Sequence, residues 1–399
     1  MKALFIKHIH LALALSMSYI GFSNSIVNKK MPQAHFNTRS IETGADNSMA
    51  YLPLLKGKKI GLLTNQTGVL SNQKHLVDFL LEKAISIHTI FAPEHGFRGT
   101  ADAGEHVKDG KDAKTGIQIV SLYGKNVKPS KEQLQGIEIM VFDLQDVGAR
   151  FYTYISSLHY LMEACAEQSI PLVVLDRPNP NGGVIDGPIL EKNYSSFVGV
   201  HPIPMLHGMT IGEYAQMING EKWLKNGIQC QLTIIPCLNY NHQAKYVLPV
   251  KPSPNLPNQQ AIHLYASLCL FEGTNVSVGR GTEKQFQIYG SPFLKTTSFS
   301  FMPRPNFGAK TPMHNGVLCY GEDLSLVPRP KGIELKWLLK AYKKTKDKSK
   351  FFNDFFTKLA GTPQLKFQIE KGASVATIRK SWKHGLDDFQ KIRQKYLLY

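Results

Sequence analysis

The chain has 399 residues, of which 43% are hydrophobic, and a formal net charge of +17 at pH 7. Its length predicts two domains of the usual ~100–200 residues, and its hydrophobic content excludes a wholly disordered chain. The positive charge favours anionic partners in general, but much of it lies within residues 331–350. No RNA-binding aromatic motif or zinc-finger spacing accompanies it, so no nucleic-acid partner is predicted and a solvated helix face is the simpler interpretation.

The first 25 residues have the pattern of a secretory signal peptide. Lys2 and Lys7 form a basic start, an apolar run follows at 11–20, and Ser23 and Ser25 are small residues suited to a cleavage site. The run is short for a bilayer span of ~20 residues, and an N-terminal membrane anchor of the same polarity is the alternative. We therefore expect a signal peptide at 1–25, an irregular leader at 26–50, and a secreted or periplasmic protein without stable membrane insertion.

From residue 58 onward, short apolar segments alternate with segments of helical spacing. They predict strands at 59–63, 87–92, 118–122, 137–142 and 172–175, with helices at 75–83 and 152–168. Continuously apolar strands separated by helices are typical of a parallel sheet that is covered on both faces. The predicted fold class is therefore α/β.

A first domain is predicted at 51–220 and a smaller α/β domain at 221–399. Thr210 and Glu213 have the spacing of a capping box, which predicts a helix start near the boundary. The second domain is expected to open with a strand at 231–235 and to end with a helix at 387–398.

Each strand predicted in the first domain runs into a polar loop. Ligands of open α/β sheets bind outside the carboxyl ends of the strands, so these five loops are expected to meet at one crevice. The dinucleotide fingerprint GxGxxG and the P-loop are both absent from the sequence, so the fold does not imply a nucleotide. His95, His201 and His207 lie near loops without the spacing of a metal site, and no metal or other cofactor is predicted.

Five cysteines occur at scattered positions, without zinc spacing. Cys165, Cys230 and Cys269 lie in apolar patterns, which predicts buried thiols. One disulfide remains open as an alternative.

Glu94 is the first candidate for a catalytic group. It follows a predicted strand, between Pro93, which restrains the backbone, and His95 with Gly96. A carboxyl group placed there can be partly buried, which raises its pKa and suits a general acid. A structural carboxylate that caps a loop or a helix is the alternative.

Glycoside hydrolysis requires a second carboxylate, either a nucleophile or a base that activates water. The candidates are Asp143, Asp146, Glu163, Asp176 and Glu272. Asp143 and Asp176 lie at strand ends and could point into the crevice. Asp146 could instead pair with Arg150 four residues on, and Glu163 could project from its helix into the site or into solvent.

Four arginines lie in loops rich in Gly and Pro: Arg98, Arg150, Arg177 and Arg280. The planar guanidinium suits bidentate binding of a carboxylate or a phosphate, although structural pairing within a loop is an equally good use for each. Convergence of all four on one crevice would favour an anionic substrate.

Further short motifs follow one another in order along the chain. They are GLLTNQTG (61–68), PEHGFRG (93–99), SLYG (121–124), FDLQDVGARFYTY (142–154), LDRPNP (175–180), HGMT (207–210), PSPN (252–255), EGTN (272–275), GRGT (279–282) and YLLY (396–399). Together they resemble the exo-β-N-acetylmuramidase family, long known only as a domain of unknown function. The resemblance extends over roughly residues 55–399.

The resemblance implies a Rossmann-like N-terminal domain that holds a catalytic crevice and a smaller C-terminal domain that helps to roof it. The implied reaction is that of an exo-acting glycosidase, without metal or nucleotide. It would release N-acetylmuramic acid from the non-reducing end of peptidoglycan fragments during cell-wall turnover or recycling. The family also implies two catalytic glutamates. The first matches Glu94 and the second is placed at Glu163, with Asp143 and Asp176 as alternatives.

The resemblance also implies a set of substrate-binding residues. The sugar is expected to be held by Asn65, Gln66, His95, Asp143, Asp146, Arg150, Tyr152, Asp176 and His207. One or more of Arg98, Arg177 and Arg280 is expected to bind the lactyl carboxylate of muramic acid. Val278, Gln285 and Gln287 depart from the Glu, Pro and Glu common in the family, which puts outer subsite contacts in doubt.

Two other classes remain compatible with the fold. A non-catalytic peptidoglycan-binding protein would bind cell wall and release no sugar. A nucleotide-dependent Rossmann enzyme would need the phosphate-cradling Gly loop that the sequence lacks.

Overall fold

The computed structural model describes residues 40–98 and 109–399. The predicted signal peptide and most of the predicted leader lie outside the described residues, and the first helix begins at Ser48, within the last part of that leader. In the described ranges no helix combines the length and the apolar character needed to cross a membrane.

The described residues form twelve strands and nine α-helices. The strands are β1 Lys59–Thr64, β2 Ser86–Ala92, β3 Gly110–Lys111, β4 Gln118–Ser121, β5 Ile139–Asp143, β6 Leu172–Leu175, β7 Ile185–Asp186, β8 Leu206–His207, β9 Leu232–Ile235, β10 Ile288–Ser291, β11 Phe299–Phe301 and β12 Cys319–Asp323. The helices are α1 Ser48–Leu55, α2 Leu76–Glu82, α3 Tyr154–Glu167, α4 Ile211–Gly220, α5 Gln259–Leu268, α6 Lys336–Lys344, α7 Phe355–Ala360, α8 Gln364–Glu370 and α9 Val375–Gln394. All five strands predicted for the first domain are present.

Seven strands form one sheet in the order β3-β4-β2-β1-β5-β6-β9. All neighbours are parallel except the short edge pair β3 and β4. The chain builds outward from β1 in one direction and from β5 in the other, so the topological switch lies between these two strands. The carboxyl ends of β1 and β5 therefore flank the crevice in which ligands of this fold class bind.

Alternating side chains of the central strands enter two separate cores. Leu62 and Val141 pack with α1 and α2 on one face, and their neighbours Leu63 and Phe142 pack with α3 and α4 on the other. All four side chains are fully buried. Because successive strand residues point to opposite faces, apolar residues at every position require helices on both sides of the sheet. The predicted α/β class is confirmed.

The strand near 231–235 was expected to open the second domain, and this placement is wrong. It forms β9, whose residues Leu232–Ile235 pair in parallel with β6 at the edge of the large sheet. The C-terminal part instead contains the antiparallel sheet β10-β12-β11 and helices α5 to α9. The last helix, Val375–Gln394, begins and ends earlier than the predicted 387–398.

The capping box at the start of α4 is confirmed. The Thr210 hydroxyl accepts from the Glu213 backbone N–H, and the Glu213 carboxylate accepts from the Thr210 N–H. The C-terminal residues fold back onto this corner, since Leu398 N–H donates to the Glu213 carboxylate at 2.9 Å and the Tyr399 hydroxyl donates to Asp176 at 2.7 Å. The C-terminal motif YLLY is thus joined to Asp176, which follows β6, and to the start of α4.

Candidate active site

Glu94 lies in a tight turn directly after β2. The Gly96 N–H donates to the Pro93 carbonyl at 3.0 Å, and His95 and Gly96 both have positive φ, of 71° and 75°. A left-handed backbone at His95, a non-glycine residue, is uncommon and is found at functional sites more often than elsewhere. The turn aims the half-buried Glu94 side chain back over the carboxyl edge of the sheet.

Two hydroxyl groups hold the Glu94 carboxyl group. The Tyr123 hydroxyl is 2.9 Å from Oε1 and the Thr153 hydroxyl is 2.9 Å from Oε2. Tyr123 follows β4 and Thr153 caps α3, so two neighbouring elements fix one side chain. A hydroxyl can donate or accept, which allows this arrangement to hold either protonation state of the carboxyl group.

Glu94 opens onto a pocket with an empty volume of ≈ 400 Å³. The pocket is lined by Glu94, His95, Phe151, Tyr152, Thr153, Tyr154, Ser253, Asn255, Leu256, Tyr265, Arg280 and Phe286. Both sequence halves contribute, because the segment around α3 supplies one wall and residues after 250 supply the other. Aromatic walls with a few polar groups are typical of a site for a small, partly apolar ligand such as a sugar.

Arg280 provides the positive charge of the pocket. Its Nε donates to Glu272 at 2.7 Å, and its guanidinium lies 5.0 Å from the centroid of the Phe286 ring. Although burial acts in the opposite direction, the Glu272 carboxylate raises the pKa of Arg280 above its usual value. Among the described residues its Nη groups have no hydrogen-bond partner, so the fork remains available to a second anion.

A layer of buried polar contacts supports the pocket floor. Tyr152 donates its hydroxyl to the Pro252 carbonyl at 2.6 Å, and Asn65 donates its amide to the Tyr154 hydroxyl at 2.6 Å. Gln66 donates to the same Pro252 carbonyl at 3.4 Å. The structure therefore brings Tyr152 into the pocket and places Asn65 and Gln66 behind it, as supports for the wall.

Asp146 and His207 form a second buried polar site that does not line this pocket. His207 Nε2 is 3.6 Å from Asp146 Oδ2, which also accepts from the Gly148 N–H at 2.6 Å. Within the part of the chain that the structure describes, Asp146 Oδ1 and His207 Nε2 have no hydrogen-bond partner. The alternative in which Asp146 pairs with Arg150 is not realised, because the two side chains bond to different groups.

The four arginines do not converge on one crevice, and among the described residues only Arg280 of the four lines the pocket. Arg150 is fully buried and donates to four backbone carbonyls, those of Pro188, Ile203, Leu359 and Ala360. Arg98 is half-exposed and pairs with Asp112. Arg150 and Arg98 are therefore not substrate contacts in this geometry.

Arg177 and Asp143 bond to each other and leave no group for a sugar. Asp143 Oδ1 lies 2.5 Å from Arg177 Nε and Oδ2 lies 2.9 Å from its Nη2, with both side chains almost completely buried. A bidentate pair of this kind satisfies both charges internally. Neither Asp143 nor Arg177 lines the pocket onto which Glu94 opens.

Asp176 is likewise committed to the fold. Its oxygens accept from the Gly212 N–H and from the hydroxyl groups of Thr210 and Tyr399, each at 2.7 Å. Burial raises the pKa of Asp176 to about 6, although these donors oppose the change. It ties β6 to α4 and to the C-terminus, and it has no access to the pocket.

Glu163 does not line the pocket onto which Glu94 opens, so the structure does not bring the two expected catalytic glutamates together there. Ten residues separate Glu163 from Thr153, which corresponds to ~15 Å along a helix, whereas paired glycosidase carboxyl groups lie ~5–9.5 Å apart. Glu163 accepts from Lys128 Nζ at 2.7 Å and from the Lys225 N–H at 2.8 Å. Burial alone would have the opposite effect, but the bond from Lys128 lowers the pKa of Glu163.

Several pocket residues had no individual role in the sequence interpretation. Four of them lie within the recognised motifs, namely Thr153, Tyr154, Ser253 and Asn255. Membership of a motif was the signal that could have identified them, but it assigned them no role. Phe151, although it lies in the motif 142–154, resembles an ordinary core residue in sequence, as do Leu256, Tyr265 and Phe286. Only the packing of the chain shows that these four face the pocket.

Within the described residues no group of three or more His, Cys, Asp or Glu side chains could hold a metal ion. The five cysteines are buried free thiols, which confirms the prediction for Cys165, Cys230 and Cys269.

Models of known protein families match almost the whole described chain. The N-terminal model of the exo-β-N-acetylmuramidase NamZ matches residues 60–260, and the C-terminal model matches residues 263–399. The chain belongs to the exo-β-N-acetylmuramidase family. The N-terminal model includes β9, in agreement with its place in the large sheet.

Similar proteins of this family include a curated enzyme and two solved structures. The peptidoglycan β-N-acetylmuramidase NamZ of Bacillus subtilis (strain 168) is 43% identical over 384 residues, which cover 90% of this chain and 91% of the relative. A crystal structure of a DUF1343 family protein from Bacteroides fragilis NCTC 9343 has a TM-score of 0.84 and 47% identity, over 90% of this chain and 99% of the other. A second such protein from the same organism has a TM-score of 0.77 and 29% identity, with the same coverage.

Proposed function

We propose that this member of the exo-β-N-acetylmuramidase family is an exo-acting glycosidase that releases N-acetylmuramic acid from the non-reducing end of peptidoglycan fragments. The observation that carries the proposal is the position of Glu94, a half-buried carboxyl group at the mouth of an aromatic pocket. The curated relative, 43% identical, is named for this activity on peptidoglycan. A role in cell-wall turnover or recycling follows from that substrate.

Glu94 acts as the principal acid/base group of the reaction. A glycosidic oxygen must receive a proton as its bond to the anomeric carbon breaks, and a carboxyl group within hydrogen-bond reach supplies it. The hydroxyl groups of Tyr123 and Thr153, each 2.9 Å from the carboxyl group, keep it in one orientation through both protonation states. Glu94 is the one carboxylate among the described pocket-lining residues, and the acid/base role is the one we assign.

Arg280 binds the lactyl carboxylate that distinguishes muramic acid from glucosamine. Its Nε is fixed by Glu272 and its face lies against Phe286, so the remaining nitrogens are held in one orientation inside the pocket. A preorganised guanidinium fork is the best protein partner for a carboxylate. Tyr152 and His95 line the same pocket and contact the sugar body.

The direct test is incubation of the purified protein with the disaccharide of N-acetylmuramic acid linked to N-acetylglucosamine. Mass spectrometry of the products should detect both free monosaccharides. N,N′-diacetylchitobiose, which lacks the lactyl group, is the control and should be cleaved far more slowly. Sedimentation of the protein with peptidoglycan without release of free N-acetylmuramic acid would favour a non-catalytic binding protein instead.

We propose further that residues 1–25 direct secretion to an extracytoplasmic compartment. The support is the basic start, the short apolar run at 11–20 and the small residues Ser23 and Ser25. Expression of the full chain should yield a processed form whose N-terminus, read by mass spectrometry, lies near residue 25. An unprocessed protein in the cytoplasmic fraction would contradict the proposal.

A further inference from the structure

Phe307 is an unusually exposed aromatic residue close to the pocket. Its side chain is 66% exposed, and it lies at the tip of the turn Asn306 to Ala309, which closes with reciprocal backbone bonds of 3.1 Å. Other large apolar side chains on the same stretch of chain are also exposed, namely Met302, Met313, Val317 and Leu318. A cluster of exposed apolar residues in a folded protein commonly marks a binding surface.

The turn that carries Phe307 is fixed to the pocket wall on both sides. The Gly308 carbonyl accepts from the Asn255 amide at 2.6 Å, and Asn255 lines the pocket. On the other side, the Asn306 amide donates to the Thr282 carbonyl at 3.1 Å, two residues after Arg280.

A third bond lies nearby, where the Arg304 N–H donates to the Gly281 carbonyl at 2.9 Å. The turn is also packed closely, since a Cβ added at Gly308 would lie 2.7 Å from Pro254. The backbone that carries Phe307 is therefore fixed at the rim of the pocket, and the Phe307 side chain is largely exposed there.

The occupant of this rim follows from the direction of the reaction. An exo-acting enzyme binds the terminal sugar in the pocket, so the rest of the bound substrate must extend out through the pocket mouth. The first groups beyond the mouth are the sugars on the leaving-group side. A pyranose ring has an apolar face of C–H groups that packs well on an aromatic ring, and an aromatic ring at the rim suits that contact.

We propose that Phe307 is the stacking platform for the leaving-group saccharide, and thus a determinant of the preferred substrate length. This inference rests on the proposed exo-glycosidase function. The platform contributes to binding of the saccharide beyond the scissile bond and has no part in the acid/base chemistry of Glu94.

The test compares three substrates in the wild type and in Phe307→Ala. The substrates are the β-fluoride of N-acetylmuramic acid, whose leaving group occupies no subsite, and the peptide-free disaccharide and tetrasaccharide. We expect Phe307→Ala to lower kcat/KM for the tetrasaccharide about tenfold, mainly through KM, and to leave the fluoride within about twofold. Phe307→Tyr should restore the wild-type value.

Phe367→Ala is the matched control, because Phe367 is 52% exposed on α8 and no residue of α8 lines the pocket. It should leave all three substrates unchanged. An unchanged kcat/KM for the tetrasaccharide in Phe307→Ala would overturn the proposal. An equal decrease in kcat/KM for the fluoride would overturn it as well.

Calorimetric binding to Glu94→Gln, with and without Phe307→Ala, separates the platform from the chemistry. The second substitution should weaken tetrasaccharide binding about tenfold and leave binding of free N-acetylmuramic acid unchanged. If the wild type binds the tetrasaccharide but releases no sugar, the proposed function fails while the platform stands. If Phe307→Ala leaves tetrasaccharide affinity unchanged, the platform fails whatever the activity.

Discussion

A guanidinium that lines a pocket with unbonded Nη groups can take a second anion, whereas one that is buried outside the pocket and bonded to other protein groups cannot. Arg280 is of the first kind, and Arg150 and Arg177 are of the second. Arg150 donates through both Nη groups to backbone carbonyls, and Arg177 donates through Nε and Nη2 to Asp143. The difference decides which arginine in this chain can recognise the charged lactyl group, and it is visible only in the bonds that each side chain makes.

Arg280→Lys and Arg280→Ala should therefore raise KM for the muramic acid disaccharide, by roughly tenfold and a hundredfold, because a bidentate carboxylate contact is weakened or lost. The measurement is steady-state kinetics with wild-type protein alongside. Arg98→Ala removes an exposed arginine paired with Asp112 and should leave KM unchanged. If Arg98→Ala and Arg280→Ala have the same KM, the carboxylate assignment is wrong.

Arg177→Ala should destabilise the fold because it leaves Asp143 buried and unpaired. The expected loss in the free energy of unfolding is about 3–5 kcal/mol, measured by urea titration. Lys383→Ala breaks the exposed pair with Asp387 and should cost less than about 1 kcal/mol. Comparable losses from the two substitutions would show that the buried pair contributes no more to the free energy of unfolding than the exposed pair does.

At the level of single residues, sequence alone located Glu94, His95, Tyr152 and Arg280 in one pocket but mixed them with others. Asp143, Asp176 and Arg177 also follow strand ends, and strand-end position does not distinguish a side chain that faces the crevice from one that bonds to its neighbour. Glu163 was placed by the family resemblance, and helical spacing left it open whether the side chain projects into the site or into solvent. The sequence pattern correctly placed the site at the carboxyl edge of the sheet. It did not show which of the side chains at that edge face the crevice and which bond to their neighbours.

At the level of elements, the junction of β6, α4 and the C-terminus is held by Asp176. Its folded pKa of about 6 exceeds the ordinary aspartate value of 3.8, so the folded state binds the proton more tightly than the unfolded state does. The stability that this group contributes is full below about pH 3.8 and is lost as pH rises through about 6. The free energy of unfolding that is lost at neutral pH, relative to low pH, amounts to about 3 kcal/mol.

Asp176→Asn should remove this dependence, since an amide does not titrate. The free energy of unfolding should be measured by urea titration at pH 4, 5, 6 and 7. Relative to the wild type, that of the variant should increase by about 3 kcal/mol over this range. Parallel stability curves for the two proteins would contradict a raised pKa at this position.

The strands and helices of the large sheet were predictable because their apolar periodicity is strong and each ends in a clear polar loop. β9 was assigned to the wrong part of the molecule for a physical reason. Its burial alternates because it lies at the sheet edge, with Leu232 and Ile234 half-buried and Thr233 exposed. It therefore lacks the continuous apolar run by which β1, β5 and β6 were recognised.

At the level of the whole molecule, residues 40–399 form one compact unit. One hydrophobic core extends from Phe142 in the large sheet to Phe356 in α7, and Arg150 joins the two sequence halves through the Leu359 and Ala360 carbonyls. The predicted domain boundary at 220/221 therefore does not coincide with a break in the core.

A shared core predicts a single cooperative unfolding transition. Differential scanning calorimetry should give one peak, and Arg150→Met should move it to lower temperature without splitting it. Two separate transitions in the wild type would show that the halves are stable on their own.

The most direct test of the whole account is the rate of N-acetylmuramic acid release by Glu94→Gln. The amide keeps the size of the side chain and can bond to Tyr123 and Thr153, but it cannot transfer a proton. Release from the disaccharide should fall by about 10²–10⁴-fold, with the thermal unfolding temperature close to that of the wild type. Release at the wild-type rate would contradict the central role of Glu94.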